Sequence, residues 1–464
     1  MRTRLLSALF LLFLIFTTES KAQIGHRADV HEDSTETLWK YLDKGYFEFH
    51  KRSFVMSTIN EGYLDDYFTV TSGAGIGYYS PSFHNFHFGF SGFFMFQLYQ
   101  YNLHEIDSYA GKSSRYENQL YDINDKYNKS DLDRLEELYL TYENKNWKIE
   151  LGRQKFESPL LNENDNRMRP NIFSGIAVKY DNDHVKVYGA FFNSLTIRGT
   201  LDWYGWDESF GVYGQGTNPL GDSLGYQGNV STLGMGVLGV EYEKKNWSNQ
   251  IWNYTNNNVF NIVFAQSDYK WKRKKSNFIF GIQGLYQNAL NNGGNSNQSK
   301  TYILANESTF AFGGRIGVNI KSGTLTFNYF GVSDKGRYLF PREWGREKFY
   351  ASLTRELFEG YGDLNAYVLK YKYKPNKKNY YFGFGAGYID QPSSENITLN
   401  KYSLDSYYHF TTKFNYSFEK YFEGMNLKFI AAFKKATNSD KIEDRYKINW
   451  VDMCNLNLIV DYRF

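Results

Sequence analysis

The sequence holds one cysteine, Cys454, so no disulfide framework can form within the chain. Beyond residue 22 no stretch approaches eighteen consecutive apolar residues, which excludes a bilayer-spanning helix in the remaining chain. No Pro/Gly/Ser-rich linker divides the 464 residues, although that length would ordinarily be shared among two or three soluble domains. A formal net charge of +3 is too small to argue for a nucleic-acid partner. Motifs of catalysis and metal binding are missing as well. His84, His87 and His104 cluster near one strand, but no Gly-x-Ser-x-Gly elbow accompanies them, and no enzyme is expected. The oxygen-bearing groups Asp122, Asn124 and Asp125, or Asp131 and Asp133, lack the glycine and terminal glutamate of an EF-hand loop, so no metal or other cofactor is expected.

What is abundant is aromatic. The 41 Tyr and 39 Phe accompany a mean hydropathy of −0.58, so ring surface is plentiful while aliphatic material for a soluble core is scarce. A transmembrane β-barrel reconciles the two, since its outer band is apolar and girdled by rings while its lumen and loops stay wet. The first residues agree with export. Arg2 and Arg4 precede an apolar run from Leu5 to Phe16 broken only by Ser7, and Ser20-Lys21-Ala22 offers a small-x-small cleavage site. Residues 1–22 are read as a signal peptide and 23–464 as an outer-membrane barrel domain, with 23–44 lacking strand pattern and lying on the periplasmic side. Near the C-terminus Leu456, Leu458, Val460, Tyr462 and Phe464 alternate with Asn457, Ile459, Asp461 and Arg463, placing one set toward lipid and the other toward the lumen. A final strand closed by aromatic Phe464 is what the barrel-assembly machinery of the outer membrane reads.

The same period-two grammar recurs in segments of about ten residues. Candidate strands are 46–54, 67–78, 86–96, 138–142, 147–151, 175–180, 185–192, 238–242, 261–271, 278–286, 310–320 and 324–330. Further candidates are 349–354, 364–373, 380–388, 407–418, 427–433 and the last strand from Leu456. The fold expected is all-β, an antiparallel up-and-down barrel of about 18 strands. Long connections at 107–133, 156–173, 193–234, 288–308 and 333–344 contrast with tight turns such as 144–146 and 181–183. This polarity puts long loops outside, free to fold inward and narrow the lumen.

Two stretches concentrate charge with proline, glycine and rings, and both are read as pore-lining. The first runs through Arg153, Asp165, Arg167 and Arg169; the second carries Arg337, Arg342, Arg346 and Arg355. A planar guanidinium meets a carboxylate through two parallel hydrogen bonds, and several of them in a low-dielectric constriction create a field that selects solutes by charge. Strand parity is awkward for Arg153, which shares the face of Ile149 and Leu151.

Three motifs resemble the OprD-type porins of the outer membrane and related epsilonproteobacterial porins. They are Gly45-Tyr46-Phe47-Glu48 through Arg52-Ser53-Phe54 to Asp66-Tyr67 and Ser72-Gly73-Ala74-Gly75-Ile76-Gly77-Tyr78, the stretch Gly152-Arg153-Gln154 to Gly175, and Pro341-Arg342-Glu343-Trp344-Gly345-Arg346. The resemblance implies an eighteen-stranded barrel, monomer or homotrimer, with an arginine row at a narrow eyelet. It implies passive diffusion of small polar solutes such as amino acids, small carboxylates or short oligosaccharides. The 107–133 and 193–234 segments depart from the family pattern, so the choice of substrate does not carry over. The rival expectation is an outer-membrane adhesin or structural partner of a surface machine, whose lumen would be blocked; a barrel hydrolase is the third.

Overall fold

A computed structural model describes residues 42–464, so the signal peptide expected at 1–22 and residues 23–41 lie outside the described part. The strands are β1 Tyr46–Asn60, β2 Tyr67–Tyr79, β3 Phe86–Tyr101, β4 Arg134–Glu143, β5 Trp147–Gln154, β6 Ile172–Asp181 and β7 Val185–Thr196. They continue as β8 Trp203–Gly205, β9 Met235–Lys244, β10 Trp247–Asn256, β11 Phe260–Lys272, β12 Ser276–Ala289 and β13 Ser308–Ile320. The remainder are β14 Gly323–Val332, β15 Leu364–Tyr373, β16 Tyr380–Asp390, β17 Tyr407–Ser417, β18 Met425–Ala436 and β19 Met453–Arg463. Each pairs antiparallel with its chain neighbour, and β19 pairs with β1 from Arg463 opposite His50 to Met453 opposite Asn60, which closes the cylinder. Strand β8 stands apart: it pairs only with the end of β7, while β9 takes the next place in the wall. The wall is therefore an 18-stranded antiparallel barrel with one extra short strand.

Closure satisfies the backbone polar groups between neighbouring strands, the condition for crossing lipid without helices. Side-chain alternation does the rest. Phe86, Phe90 and Phe94 on β3, Leu138 and Leu140 on β4, and Ile149 and Leu151 on β5 are exposed on the outer face, while His87, Glu150 and Gln154 are buried within. On β19 the odd positions Asn455, Asn457, Ile459 and Asp461 are the buried set, matching the parity of the last strand. Rings pair along the turn end of the outer face, as Phe49 with Phe464, Trp147 with Tyr180, and Trp247 with Tyr269. This is the aromatic girdle expected at a membrane boundary.

Two strand expectations fail, in opposite directions. Residues 349–354 form no strand; the connection from β14 to β15 runs unbroken through 333–363, and Phe349, Ala351 and Leu353 are buried against lumen-facing groups such as Phe330. Their alternation mimics a strand because a loop packed inside the barrel needs apolar residues of its own. Conversely, β10 was not expected. It turns Trp252 and Tyr254 inward and leaves Asn249, Asn253 and Thr255 on the outer face beside Trp247 and Ile251, so polar and apolar residues are mixed on both faces. There the polar groups satisfy one another: Asn253 Nδ2 donates to Asn261 Oδ1 at 3.0 Å, and Thr255 Oγ1 donates to Asn253 Oδ1 at 2.8 Å.

The main core is not in the wall but inside it, where loops 155–171, 197–234 and 333–363 meet. Trp344 is its hub, with ring centres 4.8 Å from both Trp206 and Phe210, and its indole N–H donates to Ser209 Oγ at 2.8 Å. These rings fill the loop end of the lumen on one side and fix the loops that carry the charged groups.

Candidate constriction site

Loop 155–171 is stitched to loop 333–363 through backbone and amide contacts. Asn162 Nδ2 donates to the Arg346 carbonyl at 2.9 Å, Arg346 N–H returns to Asn162 Oδ1 at 3.1 Å, and Asn171 Nδ2 reaches the Glu343 carbonyl at 2.9 Å. The two segments therefore place their arginines as one unit. At the entry to the first segment, Gly152 (φ +120°) faces Gly175, and a Cβ there would lie 2.4 Å from the Leu138 carbonyl oxygen, so glycine is required for β4 to approach.

A cavity of about 160 Å³ is lined by Arg115, Arg167, Arg198, Arg342, Arg346, Arg355, Lys413 and Lys434, with Glu356 as its one carboxylate. Glu356 is already occupied: its oxygens accept from Tyr407 Oη at 2.7 Å, lie 2.7 Å from His409 Nδ1, and sit 3.3 Å from Lys434 Nζ. Burial opposes its ionisation, but Lys434, His409 and Tyr407 outweigh that and hold the carboxyl down to about 2. Arg342 pairs with Glu359 at 3.4 Å and donates to the Tyr213 carbonyl at 2.6 Å. The remaining arginines have no carboxylate partner among the described residues.

Those arginines are held by neutral groups instead. Arg167 donates to the Asn166 carbonyl and to Asn166 Oδ1, both at 3.0 Å, and to Gln119 Oε1 at 3.1 Å. Arg198 reaches the same Asn166 Oδ1 at 2.7 Å. Arg355 donates to Asn455 Oδ1 at 2.8 Å and Asn457 Oδ1 at 2.6 Å, and its guanidinium lies 5.1 Å from the ring centre of Tyr116. Arg346 donates to the Leu353 carbonyl, and Arg115 stacks on Trp450. Burial, and then the neighbouring Arg355 and Arg198, push the Arg167 guanidinium well below the usual arginine range. Burial likewise lowers Arg355 to about 10, with Tyr116 opposing and Arg198 adding to it. Arginine keeps its proton in proteins, and a desolvated cation without a counter-charge is costly. That cost falls when an anion enters.

The sequence-derived set is thus divided by the fold. Arg167, Arg342, Arg346 and Arg355 line the basic cavity. Asp165 lies in a second cavity toward the turn end, paired with Arg52 at 2.5 Å, alongside Glu48, Glu136, Glu137, Lys155 and Glu163. Arg169 is fully buried within the loops, donating to the Leu132 carbonyl at 3.2 Å, and Arg337 donates to the Thr217 carbonyl at 3.0 Å; neither lines either cavity. Arg153 is set apart as its strand parity suggests: opposite Leu138 on the outer face, it lies 4.1 Å from the Trp203 ring centre. Of the expected pore-lining set, these three lie outside both cavities and are held by the Leu132 carbonyl, the Thr217 carbonyl and the Trp203 ring. Sequence reading missed Arg115, Arg198, Lys413 and Lys434 in the basic cavity. The two lysines sit at inward positions of β17 and β18, a signal that strand parity carries; the two arginines lie in long loops with no such signal. Among the described residues no cluster of three or more His, Cys, Asp or Glu could hold a metal ion.

No protein-family sequence model and no curated protein matches the chain. Solved structures do. The crystal structure of Acinetobacter baumannii OccAB4 matches with a TM-score of 0.68 at 14% identity, over 90% of this chain and 98% of that one. Acinetobacter baumannii OccAB1 gives a TM-score of 0.69 at 12% identity, over 91% and 97%. Pseudomonas aeruginosa OpdK with vanillate gives 0.65 at 12% identity, over 91% and 99%. These neighbours are porins of the OprD/Occ family, and at such identity what this chain shares with them is the barrel fold over nearly its whole length.

Proposed function

We propose that the protein is an outer-membrane channel through which small polar solutes, anions foremost, diffuse passively. The observation that supports this most is the basic cavity, where Arg115, Arg167, Arg198, Arg346 and Arg355 converge inside a closed barrel without a carboxylate partner among the described residues. Structural arginines are ordinarily paired, because an unpaired buried charge costs several kcal/mol. Arginines left unpaired at a narrowing are explained if transient anions serve as their partners.

The wall and the loops divide the work. The barrel supplies a low-dielectric cylinder that strengthens the field of any charge within it. The Trp344 hub and the Asn162 and Asn171 contacts hold the loops inward, so the guanidinium groups are presented rigidly rather than on mobile tethers. An anion in this cavity is faced by Arg115, Arg167, Arg198, Arg342, Arg346 and Arg355 from the loops and by Lys413 and Lys434 from the wall. Neutral hydrogen-bond partners leave each cation with unspent donor capacity, enough to bind a solute but weakly enough to release it. The likeness in fold to OpdK, solved with the aromatic acid vanillate, is consistent with this reading.

Purified protein reconstituted in a planar bilayer should give stepwise ion conductance. Bilayers that stay silent with a well-folded barrel would contradict the channel and favour the adhesin or partner alternative.

A further inference from the structure

Three guanidinium groups on three different loops are organised around neutral atoms alone. Arg167 and Arg198 converge on one amide oxygen, Asn166 Oδ1, at 3.0 and 2.7 Å, and both approach Gln119 Oε1, at 3.1 and 3.5 Å. Two cations gripping the same pair of amide oxygens are held within a few ångströms of each other against their own repulsion. Arg355 approaches from loop 333–363, its guanidinium and that of Arg167 lying 5.1 and 6.0 Å from the ring centre of Tyr116. The Nε groups of Arg167 and Arg198 are buried with no acceptor. The nearby carboxylates are bonded elsewhere: Glu356 to Tyr407 and His409, Glu359 to Lys401 and Arg342, and Glu117, whose charge reaches Arg355 without a hydrogen bond, to Thr58 and Ser114.

One negative charge cannot balance this arrangement. A monocarboxylate occupies one guanidinium fork and leaves the others repelling one another across low-dielectric space. A solute with two anionic groups a few ångströms apart engages two forks at once and removes that repulsion. Space agrees, since a cavity of about 160 Å³ holds roughly five waters' worth of volume, the size of a four-carbon diacid. We propose that Arg167, Arg198 and Arg355 form a subsite for a small solute bearing two negative charges, a dicarboxylate or a phosphate monoester. The inference rests on the reading of this cavity as the solute path, and it sharpens that reading from anions in general to dianions.

The test compares succinate with butyrate, a monoanion of the same carbon count, and adds glycerol phosphate as the phosphate arm, all at pH 7.5. Single-channel potassium chloride current should be interrupted by succinate at a concentration about tenfold lower than by butyrate, one additional fork–carboxylate contact being worth about that factor. The double variant Arg167→Gln/Arg198→Gln should still open in discrete steps, with weakened anion preference, and lose the difference between succinate and butyrate. Potency of glycerol phosphate matching or exceeding succinate assigns the subsite to phosphate monoesters; the reverse assigns it to dicarboxylates. Equal potency of succinate and butyrate, or a preference that survives in the double variant, overturns the subsite while the channel stands. If bilayers are silent, calorimetric titration of succinate into the detergent-solubilised full chain still decides it: saturable binding lost in the double variant supports the subsite, and no binding overturns it.

Discussion

Arg52 on β1 and Arg167 in loop 155–171 meet at one hydrogen bond, from the Arg52 guanidinium to the Arg167 carbonyl at 2.9 Å, yet their charges are met in opposite ways. Arg52 is held by two carboxylates, Asp461 at 2.7 Å and Asp165 at 2.5 Å. Arg167 touches only amide and carbonyl oxygens. The same division runs through the molecule: wall arginines Arg134 and Arg315 pair with Glu136 and Asp268, whereas Arg198, Arg346 and Arg355 in the loops have no acidic partner among the described residues. Arg52, Arg134 and Arg315 of the wall are met by carboxylates; among the cavity arginines of the described residues Arg342 alone is, by Glu359, and the others are held by neutral groups.

Substitutions should separate the two groups. The largest effect belongs to the wall: Arg52→Gln leaves Asp461 and Asp165 without their shared partner and should lower unfolding stability by roughly 3–5 kcal/mol, measured by denaturant unfolding in detergent. Arg167→Gln should show stability at or above the parent, since it removes a buried charge that lacks a counter-ion. A loss comparable to that of Arg52→Gln would erase the distinction. Next in size is selectivity. The triple change Arg167→Gln/Arg198→Gln/Arg355→Gln should cut the anion-to-cation permeability ratio on the order of tenfold, read from bilayer reversal potentials, because three charges leave a low-dielectric narrowing.

A smaller effect should come from pH. Burial, opposed by Lys155 and reinforced by Glu157 and Asp165, pushes Glu163 in the turn-end cavity up to about 7. It is therefore mostly neutral at pH 5.5 and ionised at pH 8.5, so negative charge appears beside the path as pH rises. Anion preference should fall across that interval by about twofold, and Glu163→Gln should flatten the change. The smallest effect is expected at Arg153, whose guanidinium lies against Trp203 on the outer face. Arg153→Gln should leave conductance and selectivity unaltered, and a shift in either would return it to the pore.

Much of the wall was legible because lipid imposes a strict alternation. β3, β4, β5 and β19 obey it, and their parity reads directly from residues such as Phe86, Leu138, Ile149 and Leu458. β10 escaped because lumen packing claims Trp252 and Tyr254 while Asn249, Asn253 and Thr255 share the outer face with Trp247 and Ile251, Asn253 bonding Asn261 of β11, so no clean alternation survives. The same cause produced the opposite error at 349–354, where a loop buried in the lumen carries the apolar residues of a strand. The strand total agreed only because these two departures cancel. At the site, charge concentrated beside Pro341 and Gly345 singled out Arg342 and Arg346, which line the basic cavity, together with Arg169 and Arg337, which lie outside it. Sequence shows where arginines gather; it does not show which of them find acceptors in other loops. Arg198 joins the cavity through Asn166 and Gln119, contacts spanning 32 and 79 residues that no local pattern reveals.

The reversal potential of the unmodified protein in a potassium chloride gradient at neutral pH tests the central claim most directly. Unpaired arginines at the eyelet require the potential to take the sign set by chloride. A potential of the potassium sign, or none at all through an open channel, would contradict the account.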